Sequence, residues 1–433
     1  IYIRNPREVG SGLGLVYGVN TLGSVIGVFI TSFLFIGLIG ITKTALIATM
    51  INLLLGIILI FIKIQIPQSA PIAAESKDRD FPKKLFFFLI IAIGISGFAS
   101  LGYEVIWTRI LAIFFQNSVY SFAIILVSFL TGIAIGSIIY SKFFAAKSNQ
   151  IVTFALIEII LGLYALFLTV VFPGLPEIII RFGALSGAKP IWTSLALLQF
   201  IVIFLIFLPA TIIMGIIFPM VIRIVTKNLK DIGRRIGLVY GANTLGAIIG
   251  SLTAGFVLIP YLGTQSGNKF LGWVNIIIGL SLVAFFIRPI SKKFIVTCLL
   301  IFFIAISFST LLRGKLILLP SLQLGIGAGF RILYYKETPS GTVTVTEERA
   351  TGIRSCYVNN SAVCGTTYDA LKTVRLLGSL PMLLHQNPKK VLVIGFGIGI
   401  TSSTISQFAP EQLDCVEICP AVAEASRYFT AFN

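Results

Sequence analysis

The sequence predicts an α-helical bundle that crosses a membrane many times, followed by an incomplete α/β nucleotide-binding domain. Three observations predict it. Of 433 residues, 57% are hydrophobic and only 11% charged, with mean hydropathy +1.00; soluble chains carry about 25% charged residues. A 14-residue segment recurs at a fixed offset. Near the C-terminal end, a short apolar run leads directly into three alternating glycines.

Composition narrows the function classes. A net charge of +17 would suggest nucleic acid in a soluble protein. Here most Lys and Arg lie in short loops between apolar spans, which is how membrane orientation is set. The expected partner is therefore a lipid bilayer and not nucleic acid. The five cysteines show no C-x-x-C spacing and His385 is the single histidine, so no zinc-type cluster is expected.

The repeat pairs Gly14-Leu-Val-Tyr-Gly-Val-Asn20-Thr-Leu-Gly-Ser-Val-Ile-Gly27 with Gly237-Leu-Val-Tyr-Gly-Ala-Asn243-Thr-Leu-Gly-Ala-Ile-Ile-Gly250. The same offset pairs Gly40 with Gly263, Asn52 with Asn275 and Gly56 with Gly279. Duplicated six-helix halves are expected, an arrangement that resembles the major facilitator type. Spans are predicted near 86–114, 118–141, 151–173, 191–222, 236–261 and 266–288, each long enough to cross ~30 Å of hydrocarbon. Pro209 is expected to kink the fourth. The first half is read as its last two spans, near 12–38 and 42–62, and 294–312 is a candidate for one more. The domains expected are 1–64 (end of the first half), 65–85 (basic linker), 86–290 (second half), 291–330 (apolar segment and linker) and 331–433 (soluble domain). The chain is expected to be a fragment cut at both ends.

Glycines at 14, 18, 23 and 27, and again at 237, 241, 246 and 250, should let helices approach closely, and Gly132 with Gly136 should do the same. Asn20 and Asn243 are candidates for a bond across the repeat interface, for tying neighbouring helices, or for substrate contact. Charges within spans are costly unless paired, which singles out Glu104, Arg109 and Glu158. A structural Glu–Arg contact, a transport or ligand role, and a side chain reaching the headgroups are the alternatives.

In the C-terminal domain, Val391–Ile394 reads as a buried parallel strand. Gly395, Gly397 and Gly399 then allow a tight turn and close ligand approach, and a helix starts near Ile400. About 20 residues on, Leu413–Glu417 reads as a second strand ending in an acid, the position that binds ribose hydroxyls in nucleotide-binding sheets. Upstream, Ser340–Glu347 alternates as a half-buried strand. Cys356–Ser361 reads as strand and turn, and Arg375–His385 as an amphipathic helix.

From about residue 338, these motifs resemble the spermidine synthase (polyamine aminopropyltransferase) family. They include Leu380-Pro-Met-Leu-Leu-His385, Pro388-Lys-Lys-Val-Leu-Val-Ile-Gly395 and Val416-Glu-Ile418. With Glu104-Val-Ile-Trp-Thr-Arg109, the likeness narrows to membrane-fused members. It implies a Rossmann-like domain with an N-terminal β-hairpin region. No tightly bound cofactor is implied, and decarboxylated S-adenosylmethionine or S-adenosylmethionine serves as co-substrate. A polyamine is the expected acceptor class, and a homo-oligomer would form through the soluble domain. Gly395, Gly397, Gly399 and Glu417 would bind the adenosyl group, and catalytic residues are expected beyond Asn433. The chain departs from the family at several positions. The soluble enzymes' Asp falls at Ile398, their Tyr-Gln at Gly341-Thr342, their Tyr-His-Glu at Thr373-Val374-Arg375, and the acid after Glu-Ile at Cys419.

The function expected is membrane-bound aminopropyl transfer to a diamine such as putrescine. Two other classes stay open: a transporter with an adenosyl-metabolite or polyamine sensing domain, and a methyltransferase with another acceptor. Loop charges place the soluble domain on the cytoplasmic side of the cell membrane if 294–312 does not cross.

Overall fold

The computed structural model describes residues 9–62, 82–115, 119–146, 149–175, 177–179, 181, 192–226, 232–286, 300, 302–307, 310 and 329–433. The expected linker 65–85 lies almost wholly outside these residues. So does most of 294–312, together with many of the basic residues that set the orientation. The chain divides into two compact units. One comprises Ile1–Val105, Val119–Thr253 and Asn268–Arg313; the other comprises Ile106–Ser118, Ala254–Gly267 and Gly314–Asn433.

The helices are α1 (Val9–Ile30), α2 (Ile36–Phe61), α3 (Lys83–Phe115), α4 (Val119–Ile139), α5 (Gln150–Val171), α6 (Trp192–Val225), α7 (Ile232–Thr253) and α8 (Gly263–Phe286). Among the described residues, six helical stretches are long and apolar enough to cross a membrane: Ser11–Phe61, Lys83–Ala112, Phe122–Phe144, Gln150–Gly174, Leu197–Val225 and Ile232–Phe286. The first and last have 51 and 55 residues, more than twice the ~20 that a crossing needs. Each covers two of the spans read from sequence. Helical hydrogen bonding continues through π-helical segments at Thr31–Phe35 and Ala254–Leu262. Each stretch then contains a left-handed glycine, Gly40 at φ +81° and Gly263 at φ +80°. Gly40 has ψ 168°, a conformation open essentially to glycine alone, and it kinks the trace there. Thus the repeat partners share their local backbone features as well as their sequence. Helix α6 runs without a break through Pro209 and Pro219. At the first of these, the Thr211 hydroxyl donates to the Phe207 carbonyl at 3.0 Å.

Small residues bring helices into backbone contact. A Cβ on Gly136 would lie 2.0 Å from the Ile212 carbonyl oxygen, and one on Gly215 would lie 2.3 Å from that of Ile133, so α4 and α6 touch main chain to main chain. The eight repeat glycines do not all pack alike, contrary to expectation. Gly14 and Gly18 press on Ser137, Ala134 and Ile138 of α4, whereas Gly23 and Gly27 have nothing within 4 Å. In the second copy Gly246 and Gly250 press on Gly94 and Phe98 of α3, and Gly237 and Gly241 are open. The two copies therefore use opposite ends of the same stripe.

The C-terminal region is α/β. Strands β1 (Phe330–Glu337), β2 (Thr342–Glu348), β3 (Arg354–Val358) and β4 (Ser361–Gly365) form an antiparallel meander in that order. Asn359 and Asn360, at φ +48° and +65°, make the tight turn between β3 and β4. The alternation of β2 predicts one exposed face, yet Thr342 to Thr346 are all buried, so both faces are covered. Helix α9 (Tyr368–Leu384) begins at Thr367, whose hydroxyl accepts from the Ala370 N–H at 3.3 Å. Strands β5 (Lys390–Ile394) and β6 (Gln412–Val416) pair in parallel through helix α10 (Ile400–Ser406), making a βαβ unit, and helix α11 (Pro420–Ala425) follows. Leu392, Ile394, Val416 and Ile418 stay exposed on this two-stranded sheet.

Candidate functional site

The loop between β5 and α10 and the end of β6 build one site. Gly395, Gly397 and Gly399 sit at φ +86°, +58° and +88°, a succession that L side chains rarely adopt. The Gly395 N–H extends the β5–β6 ladder to the Val416 carbonyl at 2.8 Å. The structure brings Glu417 to the same loop. Its Oε2 accepts from the Gly397 N–H at 3.2 Å, and its Oε1 accepts from the Cys419 N–H at 3.0 Å. Both oxygens are oriented by backbone donors, and the side chain is half-buried. A Cβ on Gly395 or Gly397 would meet nothing within 4 Å, so the loop has an open side. A fixed carboxylate beside an open glycine loop can accept two hydroxyl donors, as a ribose presents.

Behind the loop lies an apolar core. Ile398 and Cys419, 2% and 3% exposed, share one cluster with Val343, Val345, Cys356, Ala421 and Phe429. These are two of the positions where the resemblance places acids, and both fill the same apolar space. Cys356 and Cys364 face each other across β3 and β4. Hydrogen bonding between the two thiols lowers the Cys364 pKa below the usual thiol value, and together with burial it raises that of Cys356.

A second polar cluster lies at the turn from β1 to β2. Glu337 Oε2 accepts from the Thr264 N–H at 2.8 Å, and Oε1 accepts from the Tyr335 hydroxyl at 3.0 Å. The carboxylate thereby caps the first turn of α8. Burial pushes the Glu337 carboxyl up, while bonds from Thr264 and Tyr335 and the Arg109 charge pull it back. Arg109 Nη2 donates to the Thr338 carbonyl. Sequence reasoning missed Glu337, Tyr335 and Thr264. A Glu ending a strand and a Thr opening a helix give no signal of their shared contact.

The other membrane candidates separate. Glu158 is fully buried. Its Oε2 accepts from Asn275 Nδ2 at 2.6 Å, and the Tyr103 hydroxyl donates to Asn275 Oδ1 at 2.8 Å. Glu158 was a candidate and Asn275 lay in the repeat pairing, but the bond between them was not predicted. Among the described residues neither Glu104 nor Glu158 has an ion pair with Arg109. Asn20 is exposed, and Asn243 packs on α3, where a Cβ on Gly97 would lie 2.8 Å from its Oδ1. No bond joins Asn20 to Asn243 among the described residues.

Comparison with known proteins bears on the C-terminal part. Residues 372–431 match the family described as "Spermine/spermidine synthase domain". This match spans most of α9, the glycine loop and Glu417. The chain is also similar to a polyamine aminopropyltransferase of Corynebacterium efficiens, with 22% identity over 350 residues. That alignment covers 78% of this chain and 62% of the relative, so the chain spans under two thirds of the length of the curated relative it matches. No solved structure gives a significant match.

Proposed function

We propose that this chain is the membrane-embedded and adenosyl-binding part of an aminopropyltransferase. Decarboxylated S-adenosylmethionine is the donor and methylthioadenosine the leaving product. The observation that carries this reading is the Glu417 carboxylate, held by Gly397 and Cys419 beside the open glycine loop, within the region that matches the synthase domain. Glu417 would accept the ribose hydroxyls, and Gly395, Gly397 and Gly399 would let the ligand approach the backbone. The sulfonium-bound carbon is already activated, so the protein must hold an amine in line and keep it deprotonated.

The wider reading has four parts. Residues 331–433 form the start of a Rossmann-like domain, for which the parallel β5–α10–β6 unit is the support. Residues 1–64 and 86–290 belong to two duplicated, major facilitator-like halves. Support for the duplication comes from the matched π-helical segments and left-handed glycines. The soluble domain faces the cytoplasm at the cell membrane. It associates as a homo-oligomer.

Ile398 and Cys419 argue that the acceptor differs from putrescine. A dication needs acidic partners, and two positions that supply them in the soluble enzymes are apolar here. The same observation keeps a sensing domain on a transporter as a second reading.

The test uses the full-length protein in lipid nanodiscs with decarboxylated S-adenosylmethionine and a panel of amines, following methylthioadenosine release. Turnover that is faster on another amine than on putrescine is expected. Nucleoside binding without release on any amine would replace this reading with the sensor. Methyl transfer from S-adenosylmethionine would replace it with a methyltransferase.

A further inference from the structure

We propose that Arg109, on a membrane-span helix, is a positioning residue for Glu417. The inference rests on the reading of Glu417 as the adenosyl-binding carboxylate. Every residue in the argument belongs to the second compact unit.

Contacts run from one residue to the other without a gap. Arg109 Nη2 donates to the Thr338 carbonyl. Thr338 closes the β1–β2 turn: its hydroxyl donates to the Gly341 carbonyl at 2.8 Å and accepts from the Gly341 N–H at 3.1 Å. The same hydroxyl oxygen lies 3.6 Å from Cys419 Sγ. Because the hydroxyl hydrogen is committed to Gly341, the thiol is the donor in that contact. The Cys419 N–H then donates to Glu417 Oε1 at 3.0 Å, and the Gly397 N–H holds Oε2. A parallel contact joins the Ser340 hydroxyl to the Ile418 carbonyl at 3.4 Å. Thr338 and Cys419 are buried, so water does not compete for the Thr338–Gly341 and Thr338–Cys419 contacts.

The turn is held from the helical side at two points. Arg109 grips its first residue, and the preceding Glu337 is fixed to Thr264 at the start of α8. A turn anchored in this way presents Cys419, and through it the carboxylate, at a set position. The Arg109 bond goes to a main-chain oxygen. No substitution at Thr338 removes that acceptor, so the contact can be tested only from Arg109. A bland alternative is that Arg109 only tethers the helical segment to the strand. In that case its loss would lower stability and leave Glu417 unaffected.

A double-mutant cycle in the full-length protein in nanodiscs distinguishes the two. Methylthioadenosine affinity is measured for wild type, Arg109→Ala, Glu417→Gln and the pair. Arg109→Ala is expected to weaken binding about three- to tenfold in the wild-type background and less than about twofold when Glu417 is already Gln. Arg109→Lys, which keeps a donor of the same charge, should recover part of the loss. An equal factor in both backgrounds, or unchanged affinity with a lowered melting temperature, would overturn the proposal. Hydrogen exchange gives a readout that needs no ligand. In Arg109→Ala, the amides of Thr338, Ser340 and Gly341 and those at 417–419 should exchange faster together. Unchanged exchange at 417–419 in folded protein would also overturn it. If wild type binds no methylthioadenosine, the reading of Glu417 fails, and exchange alone judges the link from Arg109.

Discussion

Gly397→Ala separates a glycine needed for its conformation from one needed for ligand approach. Gly397 sits at φ +58°, in the part of the left-handed region that alanine can enter. Its added Cβ would meet no atom within 4 Å, so no neighbour must move. The folding cost is then the backbone term alone, about 1–2 kcal/mol. On the open side, the methyl group occupies space that a bound adenosyl group would use. A steric loss of roughly 1.4 kcal/mol there is already tenfold in affinity. Gly399→Ala gives the contrast. At φ +88° its Cβ would lie 2.9 Å from Phe396 Cζ and 3.3 Å from Asn433 Nδ2, so the damage falls first on folding. The assay is calorimetric binding of methylthioadenosine beside thermal unfolding, both on the full-length protein. Gly397→Ala should lose at least about tenfold in affinity with a melting shift of a few degrees, and Gly399→Ala should show the larger shift. Wild-type affinity in a folded Gly397→Ala protein would refute the idea that the ligand approaches on that side.

Three further outcomes are expected. Glu417→Gln replaces an acceptor oxygen with an amide that cannot accept from both Gly397 and Cys419, and it removes a charge-assisted bond; methylthioadenosine binding should weaken about tenfold or more by calorimetry. Gly250→Ala would set a Cβ 2.1 Å from the Phe98 carbonyl oxygen; forcing α7 from α3 should cost about 1–3 kcal/mol, seen as a lower unfolding midpoint in detergent. Cys364 carries a lowered thiol pKa, so its thiolate appears at lower pH than in an ordinary cysteine, while Cys356 stays protonated. Iodoacetamide followed by mass spectrometry should therefore label Cys364 before Cys356 as pH rises, and preferential labelling of Cys356 would contradict these shifts.

What was legible in the sequence had a local or periodic signature. Apolar runs marked the helices, and the βαβ unit followed from a short apolar strand, three glycines and an acid at the right distance. The repeat pointed to Gly40 and Gly263 as partners, and both have a positive φ, +81° and +80°. Tertiary packing overrode local pattern elsewhere. Strand β2 alternates as if one face met water, but both faces are covered. The glycine stripe looked uniform, yet each copy packs only one end of it. Glu104 and Arg109 share one motif, but Arg109 reaches a carbonyl 229 residues away. No pattern confined to one helix encodes such a partner.

The departures at Ile398 and Cys419 carry a meaning that neither residue shows alone. Taken singly, each is an acid missing from a resemblance. In the structure both fill one cluster with Val343, Val345, Ala421 and Phe429, and Cys419 also donates its thiol to Thr338. A carboxylate introduced at either position would be surrounded by apolar groups, and an unpaired buried charge costs several kcal/mol. Ile398→Asp or Cys419→Asp alone is therefore expected to lower stability. The apolar core, the Thr338–Cys419 contact and the Arg109-held turn therefore meet at one place beside Glu417. Glu417 stands at the edge of that core: one of its backbone donors, the Cys419 N–H, belongs to a core residue, and the other, the Gly397 N–H, lies on the open loop.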